Sequence, residues 1–248
     1  MAGTYQLLIL LKFNYLNTNK QKRMAHTKRI AAGLDKEHVW VATPAPGAHA
    51  RRESITLLVI VRDHLKYADT TREATKIIND GMVLVDGRIR HEYKYGVGLM
   101  DIISIPKAGK SFRVISTAKG LKLKEIPEEE AKFKLCKILD KSLLKGGAVQ
   151  LTLHDGTTIK VPAESDRKYV TRDTVVLDLS SREVKDSIEF NIGNTGLVVK
   201  GRHIGKVGKI EEIVKGTAAR KSLTVIDKLP TLTEYVFVIG KDEPMISI

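Results

Sequence analysis

Residues 70–90, TTREATKIINDGMVLVDGRIR, constrain this chain more tightly than any other stretch. Thr70 is a helix N-cap residue, and Glu73 three positions on completes a capping box. Ala74, Ile77 and Ile78 follow at the i, i+3, i+4 spacing of one apolar helix face. At roughly 100° per residue, Arg72 and Lys76 fall on the opposite face. Gly81 stands where a left-handed residue ends a helix. Met82–Val85 is a short β run, and Asp86-Gly87 is the dipeptide of a tight hairpin turn. Arg88, Ile89 and Arg90 begin the return strand. The stretch predicts helix, glycine stop, strand, turn and strand, with cations on the open helix face and at the turn.

A second helix is expected just upstream. Ser54 can cap Ile55–Lys66, in which Leu57, Leu58, Val61 and Leu65 form one apolar stripe. Arg62 and Lys66 lie off that stripe, and Arg51-Arg52 precede the cap. Two short helices, a hairpin and a cationic rim make a platform for a phosphate backbone. A small α+β unit with a solvated basic face would use the same residues, and the stretch alone leaves both readings open. The runs Thr71-Arg72-Glu73-Ala74, Ile77–Gly87 and Val97–Ile105 resemble the RNA-binding fold of the ribosomal S-four domain. That resemblance implies a module that reads structured RNA with its loop and second helix.

Charge sharpens the choice of partner. The 248-residue chain carries a formal net charge of +13 and a pI near 9.7, which favours a polyanion, nucleic acid ahead of an anionic membrane surface. The excess is uneven. Residues 1–52 hold nine Lys and Arg against two Asp and Glu, more than half of the surplus in the first fifth of the chain. Such a block reads as a basic arm rather than a uniformly basic surface. No apolar run is long enough to span a bilayer, so no membrane partner is expected. The single cysteine, Cys136, excludes an internal disulfide and the usual thiolate zinc sites, and its ordinary role is that of a small core residue.

Five segments follow from composition and pattern. Residues 1–23 form an unexplained extension: Leu7–Leu11 is too short for a signal-peptide core and lacks a basic lead. Met24 opens a more typical start, and the functional chain is expected to begin there. Residues 24–52 lack an apolar period and contain Pro44, Pro46 and Gly47, as an extended basic arm would. The arm is either a disordered tail or a segment ordered against RNA, and the charge favours the second. Trp40 serves either as a packing anchor or as a base-stacking group. Residues 53–106 are the helix–helix–hairpin module. Residues 107–187 are β-rich, with strands expected at Phe112–Ile115, Leu121–Ile126, Ala148–Leu153, Thr158–Val161 and Val175–Leu179. His154-Asp155-Gly156-Thr157 reads as a hairpin turn, and Glu128–Leu139 as a short helix.

Residues 188–248 carry the second motif, Gly196–Ile210. Glycines recur at 196, 201, 205 and 208 with basic residues between them, permitting tight turns and close backbone approach to a partner. The stretch resembles the KOW element, a short β-unit of ribosomal proteins and transcription elongation factors, and Glu234–Ile239 would close a small β-barrel. No Gly-Lys-Ser/Thr follows at phosphate-loop spacing, so no nucleotide site is expected.

Enzyme signatures are lacking. The seven histidines are scattered, no Gly-x-Ser-x-Gly elbow occurs, and His154-Asp155 has no visible third partner. No cofactor, metal or small-molecule substrate is expected. The order of arm, S-four-type module, β-rich middle and KOW element is similar to that of the S-four-e family of archaeal and eukaryotic small-subunit ribosomal proteins, over about residues 24–248. The resemblance implies a multi-domain α+β protein that binds small-subunit ribosomal RNA and neighbouring ribosomal proteins in the cytoplasm. Phosphate neutralisation would fall to Lys28, Arg29, Arg51 and Arg52 in the arm. In the module it would fall to Arg62, Lys66, Arg72, Lys76, Arg88 and Arg90. In the last segment it would fall to Lys200, Arg202, His203, Lys206 and Lys209. The alternatives are an RNA-modifying enzyme and a transcription-elongation adaptor built from the same modules.

Overall fold

The computed structural model describes residues 41–145, 147–162, 168–217 and 220–247. The expected start at Met24, most of the basic arm with Lys28 and Arg29, and Trp40 lie outside the described residues. Within them the protein is α+β and strongly weighted to β: short helices accompany three five-stranded sheets and one two-stranded sheet, all antiparallel.

The first part of the chain runs β1 (Ser54–Thr56), α1 (Leu57–Val59, widening into a π-helical stretch Ile60–His64), α2 (Thr71–Asn79), β2 (Leu84–Val85), β3 (Arg88–Ile89), β4 (Gly96–Gly98), β5 (Ile102–Ile105), β6 (Lys110–Thr117) and β7 (Gly120–Ile126). The first helix departs from expectation. Ser54 does not cap it; Ser54–Thr56 pairs with Gly96–Gly98, and the Thr56 hydroxyl accepts from the Val59 N–H at 3.4 Å. Ile55 and Thr56 are β-branched and suit an extended strand. The residues from Leu57 to Val61 are all buried, so the helix has no wet face at its start and sits inside the core.

The second helix forms as its sequence demands. The Thr70 hydroxyl accepts from Glu73 N–H at 3.3 Å, and the Glu73 carboxylate accepts from Thr70 N–H at 3.4 Å, a complete capping box. Ala74 and Ile78 are buried while Arg72 and Lys76 stay exposed. Gly81 ends the helix at φ +72°, and Asp86 and Gly87 both take positive φ, the primed turn that a two-residue hairpin needs. Strand order β3-β2-β5-β6-β7 makes one sheet from residue 84 to residue 126, and its inner face shares a core with both helices.

The central sheet comprises β8 (Phe133–Leu143), β9 (Val149–Leu153), β10 (Thr158–Val161), β11 (Thr174–Asp178) and β12 (Val184–Ile188), in the order β10-β9-β8-β11-β12. The helix expected at Glu128–Leu139 is absent: a 3-10 turn at Glu130–Lys132 leads directly into β8. The reason is burial on both faces. Cys136 and Ile138 enter the core of the central sheet, while Leu135 enters a different core on the other side. A period of two sorts these side chains and a period of 3.6 does not.

The third sheet comprises β13 (Thr195–Val198), β14 (Val207–Val214), β15 (Leu223–Ile226), β16 (Leu229–Leu232) and β17 (Val236–Gly240), in the order β16-β15-β14-β13-β17. The three sheets meet at one shared core of Met100, Ile115, Leu135, Val176, Leu197, Phe237, Ile239 and Ile246. Two polar ties reinforce this junction. Buried Lys137 donates to the backbone carbonyls of Glu234 (3.0 Å) and Val236 (2.6 Å). Buried Arg113 donates to Glu130 at 2.7 Å, and Glu130 in turn accepts from the Ser247 hydroxyl near the end of the chain.

Candidate nucleic-acid interface

The expected contact residues differ in how free their charges are. On α2, Arg72 and Lys76 are one turn apart on the solvent face and make no ion pair among the described residues. Lys66, just beyond the first helix, is exposed with φ +54°. Arg62 is not free. Its guanidinium forks onto Asp63 at 2.6 and 2.9 Å and donates to the Thr71 hydroxyl at 2.8 Å, so it braces one helix against the next. At the hairpin, Arg88 is exposed and Arg90 is half-buried, its guanidinium 4.4 Å above the Tyr95 ring.

Residues far apart in the chain come together here. Arg51 and Arg52 are exposed on a 3-10 turn, and Glu53 of that turn pairs with Lys200 at 2.5 Å. Arg52 and Lys200 line one small cavity with Leu99, Leu121, Val199 and Ile204. Arg202 and Lys206 are exposed and His203 is half-buried on the loop between β13 and β14. Lys209 pairs with exposed Asp242 at 3.3 Å, a contact that solvent weakens.

Two of the glycines of this stretch make close approaches within the protein. A Cβ on Gly205, whose φ is +83°, would lie 3.1 Å from the backbone of Thr117 in the β6–β7 hairpin, and a Cβ on Gly208 would collide with the Asp227 carboxylate. Gly205 thus lets the loop sit on the first sheet, and Gly208, in β14, leaves room for Asp227 of the β15–β16 turn.

Beneath these surfaces lies a buried charge cluster that sequence reasoning missed. The Lys134 ammonium, from β8, donates to Asp86 (2.8 Å), Asp101 (2.6 Å) and Asp155 (2.9 Å). Asp86 comes from the β2–β3 turn, Asp101 from just before β5, and Asp155 from the β9–β10 turn, so one side chain ties the first sheet to the central sheet. His49 adds a fourth anchor, its Nε2 lying 2.8 Å from Asp101. Burial alone would lower the Lys134 pKa, but the carboxylates outweigh it and hold that pKa well above its ordinary value. Burial would likewise raise Asp101, yet Lys134 and His49 keep it well below the usual carboxylate range. For Asp155, Lys134 overcomes burial and holds the carboxyl at about 2. Asp86 goes the other way, pushed up by burial and by the neighbouring Asp101 charge.

His154 sits beside this cluster and is neutral. Its Nε2 lies 3.1 Å from the Leu99 carbonyl and its Nδ1 3.3 Å from the Lys137 N–H, a pattern that one tautomer satisfies completely. Burial, and then Lys134, press its pKa down to about 4. Cys136, His154 and Asp155 lie close enough together to suggest a metal centre. The donor set does not fit one. Both histidine nitrogens are already bonded, Asp155 binds an ammonium, and burial pushes the Cys136 thiol well above its ordinary value.

Comparison with known proteins agrees with the geometry in two places. Residues 57–103 match the S4 domain, and residues 108–184 match the model described as ribosomal family S4e. The chain is 47% identical to the small ribosomal subunit protein eS4 of Methanothermobacter thermautotrophicus, covering 90% of this chain and 95% of that protein. It is 43% identical to the protein of the same name from Methanocaldococcus jannaschii, covering 90% and 97%. The crystal structure of 30S ribosomal protein S4e from Thermoplasma acidophilum is similar at a TM-score of 0.67 and 32% identity, over 76% of this chain and 96% of that one.

Proposed function

This chain belongs to the S4e family of small-subunit ribosomal proteins, and from that membership we propose how its surfaces serve the ribosome. It is a structural constituent of the small subunit, resident in the ribosome of the cytoplasm, and not an enzyme. The observation that carries this reading is near full-length identity to relatives of that name, with the S4 match falling on the helix–helix–hairpin region. The RNA-modifying and transcription-adaptor alternatives give way to it.

The finer reading is a division of labour. Residues 53–106 act as the RNA-reading module, 107–187 as a β-rich central domain and 188–248 as a KOW-type barrel, with 24–52 as a basic arm and 1–23 as an extension. Small-subunit ribosomal RNA is the partner, with neighbouring ribosomal proteins beside it. Its phosphates are met by Lys66, Arg72, Lys76, Arg88 and Arg90 on the module, by Arg51 and Arg52 before it, and by Lys200, Arg202, His203, Lys206 and Lys209 on the last sheet. Lys28 and Arg29 extend the same role into the arm. Arg62 is the weakest member, because Asp63 already holds its charge. What supports this set is that most of these cations stand exposed, while Asp63, Asp86 and Asp101 of the same region are already taken up by Arg62 and Lys134. Readout would be of shape and backbone, since these groups reach phosphates rather than base edges.

Sedimentation of the untagged protein from a cell lysate tests the assignment. The protein should travel with small ribosomal subunits at low salt and leave them only at high salt, as counterion release requires. Free sedimentation at low salt, or co-migration with RNA polymerase, would overturn it.

A further inference from the structure

An open cleft of about 610 Å³ lies between the β2–β3 hairpin and the central sheet. Arg88 and Arg90 of the hairpin, Lys160 of β10, and Arg182 of the β11–β12 turn surround it, with the Tyr95 ring on one wall. Its floor holds Asp86 and Asp155, and those carboxylates are fully engaged. Each gives one oxygen to Lys134, while the other accepts a backbone N–H, from Ile102 for Asp86 and from Thr157 for Asp155. The rim cations therefore have carboxylates within the same cleft and do not pair with them. Arg88 and Lys160 are exposed and make no ion pair among the described residues. The Arg90 Nε is buried without a hydrogen-bond partner among the described residues. The Arg182 guanidinium donates to the Asp86 backbone carbonyl, at 3.2 Å, from a left-handed backbone of φ +61°. Burial and the nearby Arg88 push its guanidinium below the ordinary value, a sign of like charges held together. Non-glycine residues seldom occupy that backbone region, and its cost is met where the surrounding structure demands the conformation.

We infer that this cleft is a phosphate clamp for a strand of ribosomal RNA, completed only where the hairpin and the central sheet meet. Arg182 and Lys160 thus join the RNA interface, although both lie outside the region that matches the S4 domain. A phosphodiester between Arg88 and Arg182 relieves their mutual repulsion, and guanidinium forks suit its oxygens. The Lys134 cluster beneath fixes part of the spacing, because Asp86 and Asp155 place the β2–β3 and β9–β10 turns, and the Asp86 carbonyl also receives Arg182 of the β11–β12 turn. The inference rests on the RNA-binding role proposed above and adds a position to it.

The test measures binding of the full-length protein to deproteinised archaeal small-subunit ribosomal RNA across a potassium chloride series. Arg182→Gln is expected to weaken binding roughly tenfold near 0.2 M salt and to flatten the log–log salt slope by about one phosphate contact. Lys160→Gln, an exposed change that leaves folding alone, is expected to act in the same direction with a smaller effect. Arg88→Gln combined with Arg182→Gln should cost less than the two singly added, because both hold one phosphate. If Arg182→Gln and Lys160→Gln leave affinity and slope unchanged while Arg72→Ala with Lys76→Ala lowers them, the clamp is wrong and the RNA-binding role stands. If the unaltered protein shows no salt-dependent binding, both readings fall.

Discussion

Two lysine-bearing regions of this molecule have the same kind of charge and opposite uses. On α2, Lys76 and Arg72 stand in solvent on the face opposite the core, without an ion pair among the described residues. In β8, Lys134 is buried at the meeting point of two sheets and holds three aspartates within 2.9 Å. The first region can release counterions when a polyanion arrives, so its charge is available for binding. The second has surrendered its hydration and spends its charge on geometry. Net charge therefore says little about how many cations face a partner; desolvation decides that.

The largest expected effect would separate the two regions outright. Lys134→Met leaves three carboxylates buried around an apolar side chain, and breaking a buried pair in this way costs about 3–5 kcal/mol. Chemical denaturation should show that loss, whereas Arg72→Ala with Lys76→Ala should stay within roughly 0.5 kcal/mol of the unaltered protein. Equal losses in the two variants would erase the distinction.

A second, smaller effect is the acid response of the buried region. His154 has a folded pKa of about 4 against an ordinary 6.5. A depressed folded value means that the unfolded chain takes up the proton first. Its contribution is therefore fully present above pH 6.5 and is lost as pH falls toward 4, up to about 3 kcal/mol by linkage. Asp155 continues the trend between its ordinary 3.8 and about 2. Stability measured by urea melts should decline across pH 6.5 to 4, and His154→Gln should flatten that decline. An unchanged slope in the variant would place the acid sensitivity elsewhere.

The smallest change in stability belongs to the exposed face, and there the informative readout is RNA. Arg72→Ala with Lys76→Ala should flatten the salt dependence of binding by roughly 1.5 to 2 in slope. No change in slope would remove α2 from the interface.

What could be read in advance was local. The capping box at Thr70 and Glu73, the glycine stop at Gly81 and the turns at Asp86-Gly87 and His154–Thr157 each depend on a few neighbouring residues. All form as written. The errors came where neighbours in sequence were not neighbours in space. Ser54 looked like a cap but is spoken for by Gly98, forty-four positions on. Glu128–Leu139 read as a short helix, but from Phe133 on it is a strand, because the two cores that bury its two faces come from distant strands. The glycines at 205 and 208 pointed to close approach, and only the fold revealed that the approach is to Thr117 and Asp227.

By itself the sequence determined the caps and tight turns, the basic excess, the S4-type module and the family resemblance, because these follow from short-range stereochemistry and ordered motifs. Tertiary structure alone decided which charges are free. Lys134, Asp86, Asp101 and Asp155 carry no local mark that separates them from solvated residues. Their roles arise from burial and from partners 21 to 48 positions away, and both are properties of the folded chain, since a charge's energy depends on the medium and the counter-charges around it.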